Sequence, residues 1–198
     1  MFLHTPHTSP ATERVYQSDL DDNGFVMNLS RLWARRPEVY DAFGELRTLL
    51  TSRSSLSQRE LGVLVCATAA SLGDSYCALA WGKRLADAAD PASAAAVLQA
   101  ADGGDLTARD RALAAWARKV VGDPNATTSA DVDKLRAAGL SEQEVFEATT
   151  FIAFRLAFST VNDALGVRPD WQLAAAAPAQ VRDAVTFGRL PAPRAAAA

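Results

Sequence analysis

Few side chains in this sequence could do thiol or imidazole chemistry, because its 198 residues include only two cysteines and two histidines. Cys77 follows the turn Gly73-Asp74-Ser75, which predicts a helix beginning at Asp74 or Ser75. The thiol then falls in the first helical turn, where free N–H groups and the helix dipole stabilise a thiolate. Cys66, within GVLVCATAA, is expected to be a small buried hydrophobic residue. Cys77 is therefore the candidate reactive thiol, and an inert role for it stays open.

A single arginine, Arg155, interrupts the apolar stretch FIAFRLAF. A guanidinium buried there needs a partner, and Glu147, about two helical turns earlier, is one candidate. Two interpretations remain open at this point. Arg155 forms a structural ion pair or a subunit contact, or it provides an anion site for a substrate.

The two histidines, His4 and His7, have a spacing that could bind a metal on a helix. Pro6 and Pro10 argue against a regular helix there, so we expect a flexible terminus and no metal site. The sequence has no glycine-rich phosphate loop, and we expect no cofactor.

Charge and hydropathy exclude several classes of partner. Twenty basic against 23 acidic residues give a net charge of −3, which offers no general attraction for nucleic acid. The helix-turn-helix outline near residue 139 carries Glu142 and Glu144 where DNA phosphates would lie. From Leu61 to Gly82 only Asp74 is charged, but the turn at Asp74 predicts a buried helical hairpin rather than a membrane span. With no secretion signal at its start, the chain is expected to be cytoplasmic.

The elements that must position these residues are all helices, because apolar residues recur at helical spacing and alternating strand patterns are absent. Val39, Phe43, Leu46 and Leu50 share one helix face, which we predict to be core. Capping and breaking signals predict further helices over 57–73, 75–89, 91–103, 107–123, 127–139 and 141–166, and a short one within 178–190. The fold class is therefore all-α, a single domain over 1–198 with a central hairpin. Its helical core covers 24–168, and the ends 1–10 and 190–198 are expected to be mobile.

Several segments resemble one known family in the right order: LSQRELGVLVCATAASLGDSYCALAWGKRL, DLTARDRALAAWARKVVGDP and ADVDKLRAAGLSEQEVFEATTFIAFRLAFSTVNDALGV. The chain resembles the alkylhydroperoxidase AhpD-like, carboxymuconolactone decarboxylase superfamily, in its uncharacterised peroxidase-related branch. The resemblance implies an AhpD-like multi-helix domain that forms homo-oligomers. It also implies an active site of a glutamate, a Cys-x-x-Cys and a histidine that reduces peroxides.

Only one of those four site positions is retained. The family's second cysteine matches Cys77, whereas its first cysteine falls on Asp74, its histidine on Trp81 and its glutamate on Gly62. Asp74 cannot form a disulfide and its charge opposes a thiolate, and Trp81 cannot relay a proton. Glu60 does not replace the glutamate, because a two-residue offset turns it about 200° around the helix.

The resemblance therefore implies a peroxidase-related antioxidant scaffold with most of its redox site lost, leaving at most one-cysteine chemistry at Cys77. The alternative is a non-catalytic ligand-binding or structural protein that uses the same helical pocket. Expected partners are further copies of the chain and a peroxide or small apolar ligand, with no nucleic acid and no membrane.

Overall fold

The computed structural model describes residues 1–194, and within them the chain forms helices and no strands. The eleven α-helices of this range are α1 (Pro10–Asn23), α2 (Asn28–Trp33), α3 (Pro37–Ser52), α4 (Gln58–Leu72), α5 (Ser75–Ala88), α6 (Pro91–Gln99), α7 (Ala108–Gly122), α8 (Ser129–Ala137), α9 (Glu142–Ala164), α10 (Trp171–Ala176) and α11 (Ala179–Ala184). The all-α prediction is confirmed.

The centre of the molecule is the hairpin of α4 and α5, as predicted. Ser57 and Glu60 form a capping box at the start of α4, and Gly73 ends that helix with a left-handed φ of 74°. Nine consecutive residues of α4, 61 to 69, are buried. A helix buried on every face needs neighbours all round, and α4 packs against α5, α6, α7 and α9.

Gly62 sets how closely the two hairpin helices approach. A Cβ at this position would lie 3.2 Å from the Cβ of Leu85 on α5, closer than carbon atoms normally pack. The absence of a side chain at Gly62 thus lets α4 and α5 come into direct contact.

The prediction that one face of α3 is core holds for three of its four residues, Val39, Phe43 and Leu50, which pack against the core while partly exposed, but not for Leu46. No residue of α3 is fully buried, and Leu46 and Leu49 are 44% and 52% exposed. On the inner side, Phe43 contacts Trp33 and Phe154, with ring centres 4.9 and 5.7 Å apart. The apolar face of α3 is therefore only partly covered within one chain.

Three helices were not predicted, α1, α2 and α10. Helices α2 and α10 have six residues each, too few to show a helical period, and α1 carries no continuous apolar face. The first, α1, begins with Ser9 as N-cap and Pro10 in its first turn. Its Asp19 accepts from the backbone N–H of Met27 at 2.8 Å, which ties α1 to the start of α2.

The predicted third helix is shorter than expected. It ends at Gln99 rather than near residue 103, because Ala100 adopts a left-handed φ of 55°. At the other end of the chain, Arg168 donates to the backbone carbonyls of Leu190 and Pro191. The expected mobility of the two ends stays a prediction, and residues 195–198 lie outside the described range. No helix within 1–194 is long and apolar enough to cross a membrane.

Candidate functional site

The turn between α4 and α5 places the candidate thiol. Asp74 is the N-cap of α5, and its Oδ1 accepts from the backbone N–H of Cys77 at 2.9 Å. Because Asp74 fixes the first turn, the Cys77 side chain projects from the start of α5 toward α9. Cys77 is 3% exposed and Asp74 is completely buried.

Two residues of α9 complete the surroundings of the thiol. Arg155 donates from Nη2 to Cys77 Sγ at 2.8 Å. Ser159, one helical turn later on the same face, donates from Oγ to Asp74 Oδ2 at 2.6 Å and lies 3.7 Å from Cys77 Sγ. Cys77, Asp74, Arg155 and Ser159 therefore form one buried polar cluster, which we call the thiol cluster.

Aromatic rings hold the Arg155 guanidinium in place. Its carbon lies 5.6 Å from the centre of the Trp81 ring and 5.3 Å from that of Phe158. The sequence suggested Glu147 as its partner, and this is wrong. Glu147 instead accepts from Ser54 and from the backbone of Ser55.

Burial dominates the acidity of the thiol. It raises the pKa of Cys77 to about 12, against the opposing effect of the Arg155 charge, and the Asp74 carboxylate raises it further. The predicted thiolate-stabilising effect of the helix start is thus outweighed, and Cys77 rests as a thiol at neutral pH. Burial also raises the pKa of Cys66.

The structure separates the predicted site residues into two groups. Asp74 belongs to the thiol cluster, and Trp81 lies beside it through Arg155. Gly62 faces Leu85 instead, and Cys66 is completely buried in the apolar core, as expected. Glu60 faces elsewhere, as predicted, where it accepts from Arg109 at 2.7 Å.

Sequence reasoning missed Ser159 and Arg84. Ser159 could have been found from its position, because it follows Arg155 by four residues and shares its helix face. Arg84 stacks on Trp81, with its guanidinium carbon 4.7 Å from the ring centre. Arg84 follows Trp81 by three residues on α5, and this spacing predicts that the two side chains lie on the same helix face.

A second carboxylate lies near the hairpin turn. Burial and the charge of Asp74 raise the pKa of Asp163 to about 7, while Arg189, 4.0 Å away, lowers it. The chain segment carrying Arg189 crosses this turn, since Ser75 Oγ donates to the Arg189 carbonyl at 2.7 Å. Within residues 1–194, no three histidine, cysteine or acidic side chains group as they would around a metal ion.

Comparisons with known proteins agree with this fold. An alkylhydroperoxidase AhpD core, an uncharacterised peroxidase-related protein from Ralstonia eutropha JMP134, superposes with a TM-score of 0.77 at 23% identity, covering 96% of this chain and 97% of that one. An uncharacterised peroxidase-related protein from Silicibacter sp. TM1040 gives 0.76 at 21% identity, covering 87% and 93%.

A third solved structure has a different activity. The debrominase Bmp8 superposes with a TM-score of 0.73 at 18% identity, covering 93% of this chain and 98% of that one. A cysteine-to-alanine variant of Bmp8 has been solved in complex with 2,3,4-tribromopyrrole. Comparisons with protein-family models and with curated proteins give no match. The structural likenesses show that the chain has the AhpD-like fold.

Proposed function

We propose that the chain is a one-cysteine thiol enzyme that reduces peroxides, with Cys77 as its nucleophile. The observation that carries the proposal is the 2.8 Å contact between Arg155 Nη2 and Cys77 Sγ. A buried arginine normally pairs with a carboxylate, yet no carboxylate of residues 1–194 forms an ion pair with Arg155. A thiol placed as the partner of a buried cation is suited to become a thiolate during reaction.

The first step is removal of the thiol proton. Asp74 is the proton acceptor in this proposal, because it is the carboxylate of the thiol cluster and both Cys77 and Ser159 are hydrogen-bonded to it. Once Asp74 is protonated, Ser159 no longer needs to donate to it and can turn its O–H toward the sulfur, 3.7 Å away. Arg155 and Ser159 then both stabilise the negative charge as it forms.

The second step is attack of the sulfur on the distal oxygen of a hydroperoxide. The S–O bond forms, the O–O bond breaks, and the proton held by Asp74 passes to the departing alkoxide. Cys–SH and ROOH thus give Cys–SOH and ROH, with the sulfur oxidised and the peroxide reduced by two electrons. Two molecules of an external low-molecular-weight thiol then reduce the sulfenic acid: the first displaces water to give a mixed disulfide, and the second releases Cys–SH and the disulfide of the external thiol.

Intact-mass spectrometry of the native protein tests this proposal. One equivalent of cumene hydroperoxide should add one oxygen to the wild type and to Cys66→Ser, and none to Cys77→Ser. Cys66→Ser is the matched control because Cys66 is also buried and lies close enough to feel the Arg155 charge, but within residues 1–194 no hydrogen bond joins its thiol to Arg155, Asp74 or Ser159. Addition of one oxygen at Cys66 instead, or none in native protein while unfolded protein reacts, would overturn the proposal. The second of these results would favour a non-catalytic ligand-binding or structural role.

Reductive dehalogenation is a second candidate, and the aromatic surroundings of the thiol cluster favour it. Phe151 lies 6.3 Å from Trp81 and stacks 6.4 Å from Phe154, so the side of Trp81 next to the cluster is aromatic and would favour a flat halogenated ring over a polar substrate. The debrominase Bmp8, which has the same fold, also supports this candidate. Here the sulfur would attack bromine to give a sulfenyl bromide, and the aryl carbanion would take the proton that left the thiol. Two molecules of an external thiol would then release bromide, reform the Cys77 thiol and leave as their disulfide. Incubation with 2,3,4-tribromopyrrole and a thiol, followed by bromide measurement, distinguishes this activity from peroxide reduction.

A further inference from the structure

We propose that the substrate of the Cys77 site carries a negative charge, a carboxylate or a similar group, which Arg155 and Arg84 bind together against Trp81. This inference deepens the proposed function and rests on it for the identity of the reacting thiol. It concerns which molecules reach Cys77, rather than what Cys77 does to them.

The first argument is the position of the two guanidinium groups. The carbons of Arg84 and Arg155 lie 4.7 and 5.6 Å from the centre of the same indole ring, that of Trp81. They come from different helices, α5 and α9, so their approach is a tertiary arrangement. Two like charges beside one ring repel each other, and an anion bound near both would offset that repulsion.

The second argument is that these arginines lack a partner of opposite charge. Neither Arg84 nor Arg155 forms an ion pair with a carboxylate in the part of the chain that the structure describes, whereas Arg59 and Arg109 both do. Arg155 is 4% exposed, and its buried Nε makes no hydrogen bond within residues 1–194. A buried donor without an acceptor is costly, and a bound anion would satisfy it.

The third argument is the surrounding charge. Partial loss of water around the Arg84 side chain, followed by the charges of Arg47 on α3 and of Arg155, lowers the pKa of Arg84, so Arg47 also lies close enough to act on it. The nearest acidic member of the thiol cluster, Asp74, is already bound by Ser159 and by the backbone of Cys77. The side of the site nearer to solvent, at Arg47 and Arg84, is therefore positively charged, whereas the Asp74 carboxylate is buried in the interior.

An anion bound at Arg155 would lie directly beside the sulfur, because the same guanidinium contacts Cys77 Sγ at 2.8 Å. A substrate with a carboxylate near its electrophilic atom would place that atom at the thiol. Trp81 and Phe158 would contact its apolar part, since both rings already face the guanidinium. The substrate class is thus a small organic anion with an apolar portion.

The test compares two alkylating reagents of nearly equal size, anionic iodoacetate and neutral iodoacetamide, on the whole native protein. Peptide mapping gives the alkylation rate at Cys77 separately from that at Cys66. In the unfolded chain the neutral reagent should react at least as fast, because a thiolate repels a carboxylate. In the native protein we expect the rate ratio of iodoacetate to iodoacetamide at Cys77 to exceed the ratio in the unfolded chain by about tenfold or more.

The Arg84→Gln variant should lower that ratio by about tenfold. The matched control is Arg31→Gln, because Arg31 is also exposed and lies over an aromatic ring, 5.8 Å from the centre of Tyr16. The control should keep the wild-type ratio. An equal ratio in native and unfolded protein, or equal effects of the two variants, would overturn the proposal.

Equilibrium binding decides the matter if the buried thiol reacts with neither reagent. In the wild type, benzoate should raise the melting temperature more than benzamide does. In Arg84→Gln the shift by benzoate should be smaller than in the wild type. Equal shifts by the two probes in the wild type would overturn the proposal. Loss of oligomeric mass in Arg84→Gln with benzoate binding unchanged would assign the arginines to a subunit contact, and would also overturn it. Anion preference without peroxide oxidation would refute only the proposed function, and oxidation without anion preference only this inference.

Discussion

Helices α3 and α4 both carry apolar residues at helical spacing in the sequence, but they have opposite surroundings in the structure. Residues 61 to 69 of α4 are all buried, whereas no residue of α3 is. Gly62 of α4 lies against Leu85, and Gly44 of α3 has nothing within 4 Å of where its Cβ would be. The difference shows that helical periodicity identifies an apolar face, while the packing partner of that face is decided elsewhere in the chain.

The largest effect expected from this comparison is that of Gly62→Glu. The new side chain would meet Leu85 and bury an unpaired carboxylate, so we expect a loss of more than about 4 kcal/mol in the free energy of unfolding. Gly44→Glu is the matched control and should be neutral or stabilising by up to about 1 kcal/mol, because glycine is a poor helix former. Urea unfolding followed by circular dichroism measures both. A loss below about 1 kcal/mol for Gly62→Glu would contradict the packing of the hairpin.

A leucine pair gives the next largest effect. Leu64 is completely buried, so Leu64→Ala should lower the free energy of unfolding by about 3 kcal/mol. Leu49 is 52% exposed, so Leu49→Ala should lower it by less than about 0.5 kcal/mol. The same unfolding measurement applies to both variants. Similar losses for the two would mean that α3 is as well packed as α4.

Oligomerisation could make Leu49→Ala as destabilising as Leu64→Ala, because Leu49 would then be buried against another copy of the chain. The exposed side chains of Leu46 and Leu49 suit a contact with another copy of the chain, which remains our prediction. Light scattering of the wild type at the concentrations used for unfolding should then give more than the 21.0 kDa of one chain. In that case Leu49→Ala should become more costly as the protein concentration rises.

The smallest effect concerns the partly buried carboxylate of Asp163, which lies beside the turn between α4 and α5. Ionising this carboxylate lowers the stability of the folded protein. The pKa of Asp163 is raised to about 7, so the folded protein holds a proton there that the unfolded chain loses at about pH 4. The free energy of unfolding should therefore fall as the pH rises from about 4 to 7, and stay reduced above that. Because its side chain is 31% exposed, we expect about 1 to 2 kcal/mol after solvent screening.

The Asp163→Asn variant isolates this contribution. At pH 8 it should be more stable than the wild type by about that amount, and at pH 4 the two should be nearly equal. Unfolding by urea at both values of pH is the measurement. A variant that is less stable at pH 8 would show that the Asp163 carboxylate favours folding through Arg189.

The helix ends were predictable because their signals are local. Ser57 with Glu60, and Gly73, mark α4 to the residue, since a cap acts within four positions of itself. The packing of α3 was not predictable, because its spacing of apolar residues says nothing about how far a neighbour extends. Ala100 ended α6 early by adopting a conformation that alanine rarely takes.

The candidate site was predictable only in part for the same reason. The turn before α5 pointed to Cys77, and the apolar stretch around Arg155 marked that residue as needing a partner. The partner itself is a thiol 78 residues earlier, and no local rule connects the two. The search for a carboxylate within one helix therefore led to Glu147.

The long sequence separations in the thiol cluster also set the order in which the site is completed during synthesis. Arg155 leaves the ribosome 78 residues after Cys77, and Arg189, whose carbonyl binds Ser75, follows Ser75 by 114 residues. At about 5 to 20 residues per second, synthesis of the 114 residues up to Arg189 leaves the nascent thiol uncovered for roughly 6 to 23 seconds. During translation Cys77 is therefore an exposed cysteine until α9 and the segment around Arg189 have been synthesised and have packed beside it.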